Sequence, residues 1–152
     1  MRTIGIRMGI VAFIAIVLVS LIPYVGSFVI APIVALAVGA VAGRQAAALA
    51  RTGATNEAAK TGALVGVGAL VGSIIGLAIL VMFIVDIPAV QEFIRSSEPN
   101  VEARIPYEWM VPLGGLTGVV VGFFVGLFDL GLAFVGGLLA GWVFDHNRRV
   151  SA

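Results

Sequence analysis

The chain has 152 residues, of which 61% are hydrophobic and 20 are glycine. Charged residues make up 11% of the chain, whereas about a quarter is usual in a soluble protein. This composition cannot cover the surface of a water-soluble domain, and it indicates a single integral membrane domain. Since the sequence has no cysteine, disulfides, thiolate metal sites and cysteine nucleophiles are excluded. The net charge of +1 gives no sign of a nucleic-acid partner.

The first apolar stretch runs over residues 8–43 without a formal charge. It is long enough for two membrane spans, which need about 20 residues each. Between Pro23 and Ser27 it contains a helix breaker, an aromatic residue and a glycine. We therefore expect a tight helical hairpin with spans over 5–22 and 28–47. A signal peptide is the alternative for the first segment, because two arginines precede its apolar run.

A polar connection leads to the third span, which we expect over 58–85. Gly53 is placed to end the second helix in a left-handed conformation. Thr55 or Asn56 is expected to cap the third helix, with Glu57 in its first turn.

Residues 86–108 are the one substantial segment predicted outside the membrane. Its apolar residues share a helical face, which fits a short helix in the membrane interface, and an ordered polar loop fits equally well. The last apolar run is predicted to be one tilted span over 112–142, rising about 45 Å, which matches a bilayer with its headgroups. The alternative is a hairpin at Asp129, which is disfavoured because no turn sequence is present there.

The basic residues predict the orientation. Seven of the nine fall on one side of a four-span topology, and these are Arg2, Arg7, Arg44, Arg51, Lys60, Arg148 and Arg149. The positive-inside rule then predicts a multi-pass protein of the inner (cytoplasmic) membrane with both termini in the cytoplasm. Tyr107, Trp109 and Trp142 are predicted to be anchors at the membrane interfaces.

Small residues recur every four positions along three of the spans. The predicted helix-packing glycines are Gly39, Gly43, Gly68, Gly72, Gly76, Gly114, Gly118, Gly122 and Gly126. In lipid, such stripes let helix backbones approach closely. They predict an all-α four-helix bundle with glycine-zipper packing, although some stripes could instead face other subunits. Similar sequences at 38–43 and 135–141 are consistent with two helical hairpins related by duplication.

Asp129 is the one ionisable residue deep in a predicted span. A central Asp costs about 2.5–3.5 kcal/mol on insertion scales, so it should face the interior of the bundle. Ser73 is the candidate partner at similar depth, and we expect Asp129 to be protonated because no cation is predicted nearby. Two interpretations follow: a neutral structural acid bonded to Ser73, which the sequence favours, or a carboxyl group that handles protons or cations.

The sequence contains no recognisable catalytic set. His146, the single histidine, is expected in a solvated tail, and the glycine-rich runs lack the lysine of a phosphate-binding loop. No metal-ligand spacing is present. We therefore expect no enzyme activity, no cofactor and no metal.

The small-residue sequences at 39–44, 61–66 and 136–141 resemble those of small uncharacterised four-helix prokaryotic membrane proteins of the DUF5518 type. That group has no assigned activity, so the resemblance implies a fold only.

The favoured function is that of a structural or accessory subunit, which packs against a larger membrane complex of the respiratory or photosynthetic type or self-oligomerises. The alternative is a small ion- or proton-coupled transporter or channel that uses Asp129. A membrane enzyme has almost no support.

Overall fold

The computed structural model describes residues 2–23, 25–50, 52–97 and 106–150. These residues form helices and no strands. Four of the helices are long and apolar enough to cross a membrane. The fold is therefore all-α and indicates a multi-pass membrane protein, as the composition predicts.

The elements follow one another in a simple order. They are α1 (Arg2–Ser20), a π-helical turn (Gly26–Ile30) that continues into α2 (Ala31–Leu49), α3 (Ala54–Val85), α4 (Pro88–Ser97) and α5 (Tyr107–Val150). Residues 98–105, which belong to the predicted extramembrane segment, lie outside the described residues, as do Arg51 and Tyr24.

The predicted break between the first two spans lies where expected. α1 ends at Ser20, and the next helical turn begins at Gly26. That turn is π-helical, and the N–H of Ala31 donates to the carbonyl of Gly26, five residues back. The second span therefore begins two residues earlier than the predicted 28–47.

The connection between α2 and α3 corrects two predictions in part. Gly53 has the predicted left-handed conformation, with φ 66° and ψ 41°, but it precedes α3 and does not end α2, whose last residue is Leu49. α3 begins immediately afterwards at Ala54, so Thr55 and Asn56 lie inside its first turn and the predicted cap is wrong. From this position the Thr55 hydroxyl donates to the Asp145 carboxylate at 2.7 Å.

The last span is one continuous helix. α5 has 44 residues and rises about 66 Å, so the hairpin alternative at Asp129 is wrong. It extends beyond the predicted 112–142 at both ends, and Pro112 lies in its second turn. α4 occupies the part of 86–108 where the apolar face predicts a helix, and its location in the membrane interface stays a prediction.

The helices alternate in direction. α1 runs parallel to α3, because Gly9 lies against Leu64 and Gly68 while Ser20 lies farther along, against Gly76. α2 runs parallel to α5 in the same way, with Gly39 against Ala133 and Gly43 against Gly137. α3 and α5 are antiparallel, since Gly126 lies against Leu70 and Gly118 against Ala78. The first and last residues of the bundle therefore lie at the same end, called here the terminal end.

The interior of the bundle consists mainly of small side chains. The central apolar cluster contains Ala12, Ile16, Ala31, Ala35, Ala42, Val65, Ala69 and Ala133. Large apolar side chains point outward instead, and Phe124 is 66% and Phe128 62% exposed. In a soluble protein the large apolar side chains lie mostly inside. Their outward position here suits helices whose outer surface is covered by lipid.

Candidate intramembrane polar site

The structure brings Asp129 and Ser73 together. Both side chains are fully buried, and the Ser73 hydroxyl donates to Oδ2 of Asp129 at 2.6 Å. The pair joins α3 to α5. Ser73 is the midpoint of the uncharged part of α3, residues 61–85, so the pair lies at the centre of the predicted membrane span.

A close approach of the two backbones makes this bond possible. A Cβ added to Gly122 would lie 2.7 Å from the carbonyl oxygen of Ser73 and 2.7 Å from Cα of Ile74. Because no side chain intervenes, the short Ser73 side chain reaches across to α5.

Two further buried hydroxyls were not predicted from the sequence. Ser20 and Ser27 are almost completely buried, and neither Oγ atom has a hydrogen-bond partner among the described residues. Oδ1 of Asp129 has no partner there either. The signal that could have revealed both serines is their spacing, because each lies four residues from a residue of the apolar cluster.

The same spacing holds on all four spans. Ser20 follows Ile16, Ser27 precedes Ala31, Ser73 follows Ala69 and Asp129 precedes Ala133, in each case by four residues. Residues four apart lie on one helix face. Since α1 and α3 run opposite to α2 and α5, all four steps lead away from the terminal end. Each of the four spans therefore carries one buried polar residue on the helix face that bears the apolar cluster. These residues do not share one level, because Ser20 packs against Gly76 while Asp129 lies seven residues along α5 from Gly122, which packs against Ser73.

The predicted packing glycines all lie near another helix. A Cβ added at any of the nine would come within 4 Å of a neighbouring helix, and at most of them it would meet backbone atoms. At Gly114 the added Cβ would meet only side-chain atoms, those of Val85 and Val81. Gly131, which the sequence analysis did not single out, has nothing within 4 Å.

The predicted interface anchors are exposed where the structure describes them. Trp109 is 57% and Trp142 58% exposed, and Trp142 stacks on His146 with ring centroids 5.7 Å apart. The side chain of Tyr107 lies outside the described residues.

A surface groove lies apart from Ser73 and Asp129. It has a volume of about 640 Å³, runs between α2 and α5, and includes Leu36, Gly136 and Arg44. Within the described part of the chain, no group of three or more His, Cys, Asp or Glu residues could hold a metal ion.

The buried polar groups of the four spans therefore include one carboxyl group and three serine hydroxyls, of which only Ser73 is bonded to Asp129. Comparisons with protein-family models, with curated proteins and with solved structures find no match for this chain. The resemblance to the DUF5518-type proteins accordingly stays a prediction, and the geometry of the buried polar groups is what points to a function.

Proposed function

We propose that this protein takes up and releases a proton or a small cation at Asp129 within the membrane, as a small ion-coupled transporter or channel does. The observation that carries the proposal is the fully buried Asp129 carboxyl group, of which one oxygen has no partner among the described residues.

A comparison of the insertion cost of Asp129 with the stabilisation from its hydrogen bond favours this role over a purely structural one. Placing an Asp at the bilayer centre costs about 2.5–3.5 kcal/mol. A hydrogen bond between neutral groups contributes a net stabilisation of about 0.5–1.5 kcal/mol. The single bond from Ser73 therefore does not offset the insertion cost. Since the hydrogen bond alone does not account for an ionisable residue at this depth, its presence supports handling of an ion.

The packing of the glycines weakens the main argument for an accessory subunit. The sequence favours that function because glycine stripes could face outward. All nine predicted packing glycines, however, lie near another helix of the same chain. Within the proposal, these glycines hold the four spans together as a glycine zipper, and the rigid bundle keeps Asp129 out of contact with lipid.

Ion flux across liposomes tests the proposal. The purified chain is reconstituted with a pH-sensitive dye inside, and proton movement is followed after an imposed sodium or potassium gradient. Asp129→Asn should abolish the flux, because the amide cannot exchange a proton or balance a cation. Asp145→Asn is the matched control: it is the same substitution on the same helix, and this carboxylate also accepts a hydrogen bond from an α3 hydroxyl. It should keep the flux.

Flux that is equal in the wild type and a folded Asp129→Asn variant would contradict the proposal. So would a wild-type protein that moves no protons under any of these gradients.

A second candidate is a subunit that associates with other copies or with a larger membrane assembly, and Gly131 favours it. This glycine is exposed in the middle of α5, and a Cβ added there would meet nothing within 4 Å. A glycine on a lipid-facing surface lets another helix approach closely. Disulfide cross-linking of Gly131→Cys in native membranes should then trap a dimer or a partner, whereas Phe124→Cys, on a bulky exposed stretch of the same helix, should trap less.

A further inference from the structure

We propose that the groove between α2 and α5 binds one anionic phospholipid, with an acyl chain along its apolar length and the headgroup phosphate at Arg44. This goes beyond the proposed function, since it concerns another face of the bundle and does not involve Asp129. It rests on the shape of the groove, on its position along the two helices and on the charge at one end of it.

The groove forms because small residues bring the backbones of α2 and α5 together. A Cβ added to Gly43 would lie 2.6 Å from Cα of Gly137, and one added to Gly136 would lie 3.1 Å from the backbone nitrogen of Ala40. The floor of the groove is made of small residues that are buried or half-buried, namely Ala40, Gly136 and Ala140. Larger, exposed side chains flank this floor, among them Val41, Leu139 and Val143.

The groove follows the helix axes. Its lining residues run from Leu36 to Arg44 on α2 and from Gly136 to Asn147 on α5. At 1.5 Å per residue these stretches are about 12 Å and about 16 Å long. Both helices run toward the terminal end, so Arg44 lies at the outer end of the groove. An elongated apolar groove in this direction suits an acyl chain, because the chains of a bilayer extend alongside the helices that cross it.

The groove passes from the level of the hydrocarbon to the level of the headgroups. Residues 8–43 carry no formal charge, and Arg44 is the first charged residue after them. On α5, Asp129 is the sole ionisable residue between 109 and 144. The edge of the apolar region therefore lies near Arg44, so the occupant is apolar along its length and polar at one end. A membrane lipid has this form.

The charge at the outer end favours an anionic headgroup. Arg44 is exposed, is the only charged residue among the described residues that line the groove, and forms no ion pair with another described residue. Arg148 adds a second positive charge, since its guanidinium carbon lies 6.0 Å from the ring centroid of Phe144, which lines the groove. The carboxylate of Asp145 accepts a hydrogen bond from Thr55 on α3 instead and does not line the groove. Basic pockets between membrane helices on the cytoplasmic side bind the headgroups of anionic lipids.

The size of the groove favours a lipid chain over a helix of another protein. The groove has a volume of about 640 Å³. A helix with side chains is about 10 Å wide, so a 16 Å length of it occupies roughly 1,250 Å³. About half of such a helix would lie outside the groove, whereas an acyl chain is a single file of methylene groups and fits within it.

Thermal unfolding of the full chain in a nonionic detergent tests the site. The midpoint is measured while the mole fraction of dioleoyl phosphatidylglycerol in the micelles is raised. Dioleoyl phosphatidylcholine, with the same chains and no net charge, is the comparison lipid. The anionic lipid should raise the midpoint in a saturable way, because a ligand that binds the folded state stabilises it. Phosphatidylcholine should raise it less, and inorganic phosphate should leave it unchanged, because phosphate lacks the apolar chain.

A matched pair of arginine variants separates the groove from general attraction to a positive surface. Arg44→Gln should weaken the apparent affinity for phosphatidylglycerol about fivefold, the expected loss for one basic residue at an anionic lipid surface. Arg7→Gln is the same substitution at an exposed position of α1 outside the groove. It should leave the affinity unchanged. In lipid-free detergent both variants should unfold at the wild-type midpoint, because neither arginine forms an ion pair with another described residue.

A second variant tests the apolar part of the site. Ala140→Phe keeps Arg44 but places a ring on the floor of the groove, so it should remove the response to phosphatidylglycerol. Val120→Phe introduces the same ring at an exposed position of α5 outside the groove, and it should keep the response.

Four outcomes would overturn the inference. The first is an equal response to the two lipids, and the second is an equal loss of affinity in Arg44→Gln and Arg7→Gln. The third is a response to inorganic phosphate as large as that to phosphatidylglycerol, which would indicate a site for a free anion. The fourth is a midpoint that rises with protein concentration but with neither lipid, which would assign the groove to a second copy of the chain. Proton flux judges the proposed function separately, because none of these variants alters Asp129.

Discussion

The Ser73 hydroxyl donates to the Asp129 carboxyl group at 2.6 Å, and the two residues are 56 positions apart in the chain. Near the terminal end, the same two helices carry a second pair, in which Thr55 donates to Asp145 at 2.7 Å. The first pair is buried and the second is partly buried. Both pairs join a hydroxyl of α3 to a carboxyl group of α5, so a substitution in the partly buried pair is a control for the same substitution in the buried pair.

The first prediction concerns the Ser73–Asp129 pair. Asp129→Asn should fold normally, because the amide keeps the shape and a hydrogen-bonding oxygen. Asp129→Leu should lower the free energy of unfolding by about 1–3 kcal/mol, mainly because Ser73 loses its acceptor. In a double-mutant cycle with Ser73→Ala, the two losses should fall short of additivity. Additive losses would show that the hydrogen bond contributes nothing to stability.

The second prediction concerns close packing along α5. Gly122→Leu should destabilise the bundle by about 1–3 kcal/mol or more, because the added side chain meets the backbone of α3. Gly131→Leu is the same substitution on the same helix at an open position, and its effect on the protomer should be neutral or slightly stabilising. Thermal unfolding of both variants in one detergent gives the comparison. Equal midpoints would contradict the glycine-zipper proposal.

The third prediction tests whether one added methyl group is enough to disturb the packing of α5 against α3. An added Cβ at Gly118 would lie 2.6 Å from the Leu77 carbonyl oxygen, and backbone cannot move aside. At Gly115 the nearest atoms, at 2.9 and 3.0 Å, belong to the flexible side chain of Met82. Gly118→Ala should therefore lower the unfolding midpoint clearly, and Gly115→Ala should not. If Gly115→Ala lowers the midpoint more than Gly118→Ala does, the close backbone contact between α5 and α3 at Gly118 is contradicted.

The fourth prediction concerns topology. The alternating helix directions place Thr3 and Val150 on one side of the membrane, and α4, with Ser97, on the other. The positive-inside rule assigns the termini to the cytoplasm. A membrane-impermeant thiol reagent added to intact cells should therefore label Ser97→Cys but neither Thr3→Cys nor Val150→Cys. Labelling of the two terminal positions alone would reverse the orientation, and labelling of one terminus without the other would contradict the alternation itself.

Local features of the sequence were enough to predict the helices. The length of an uncharged apolar run decides whether a helix can cross the bilayer, and this placed the four spans to within several residues. The left-handed conformation of Gly53 was predictable because glycine adopts it without strain, but its role was not, since Gly53 precedes α3 and does not end α2. The central depth of Asp129 also follows from the sequence, since its helix has no turn signal.

The contacts between the helices were decided by the tertiary structure. Thr55 or Asn56 was predicted to cap α3, but the Thr55 hydroxyl donates to a carboxylate 90 residues away. A glycine stripe in a sequence does not say which neighbour it faces, and only the packed bundle shows α3 approaching α1 on one side and α5 on another. Ser20 and Ser27 were missed because an isolated serine in an apolar helix can bond to its own backbone, so its presence alone does not mark a site. Their burial without a partner depends on how α1 and α2 pack in the bundle, and that packing exists only after the chain has folded.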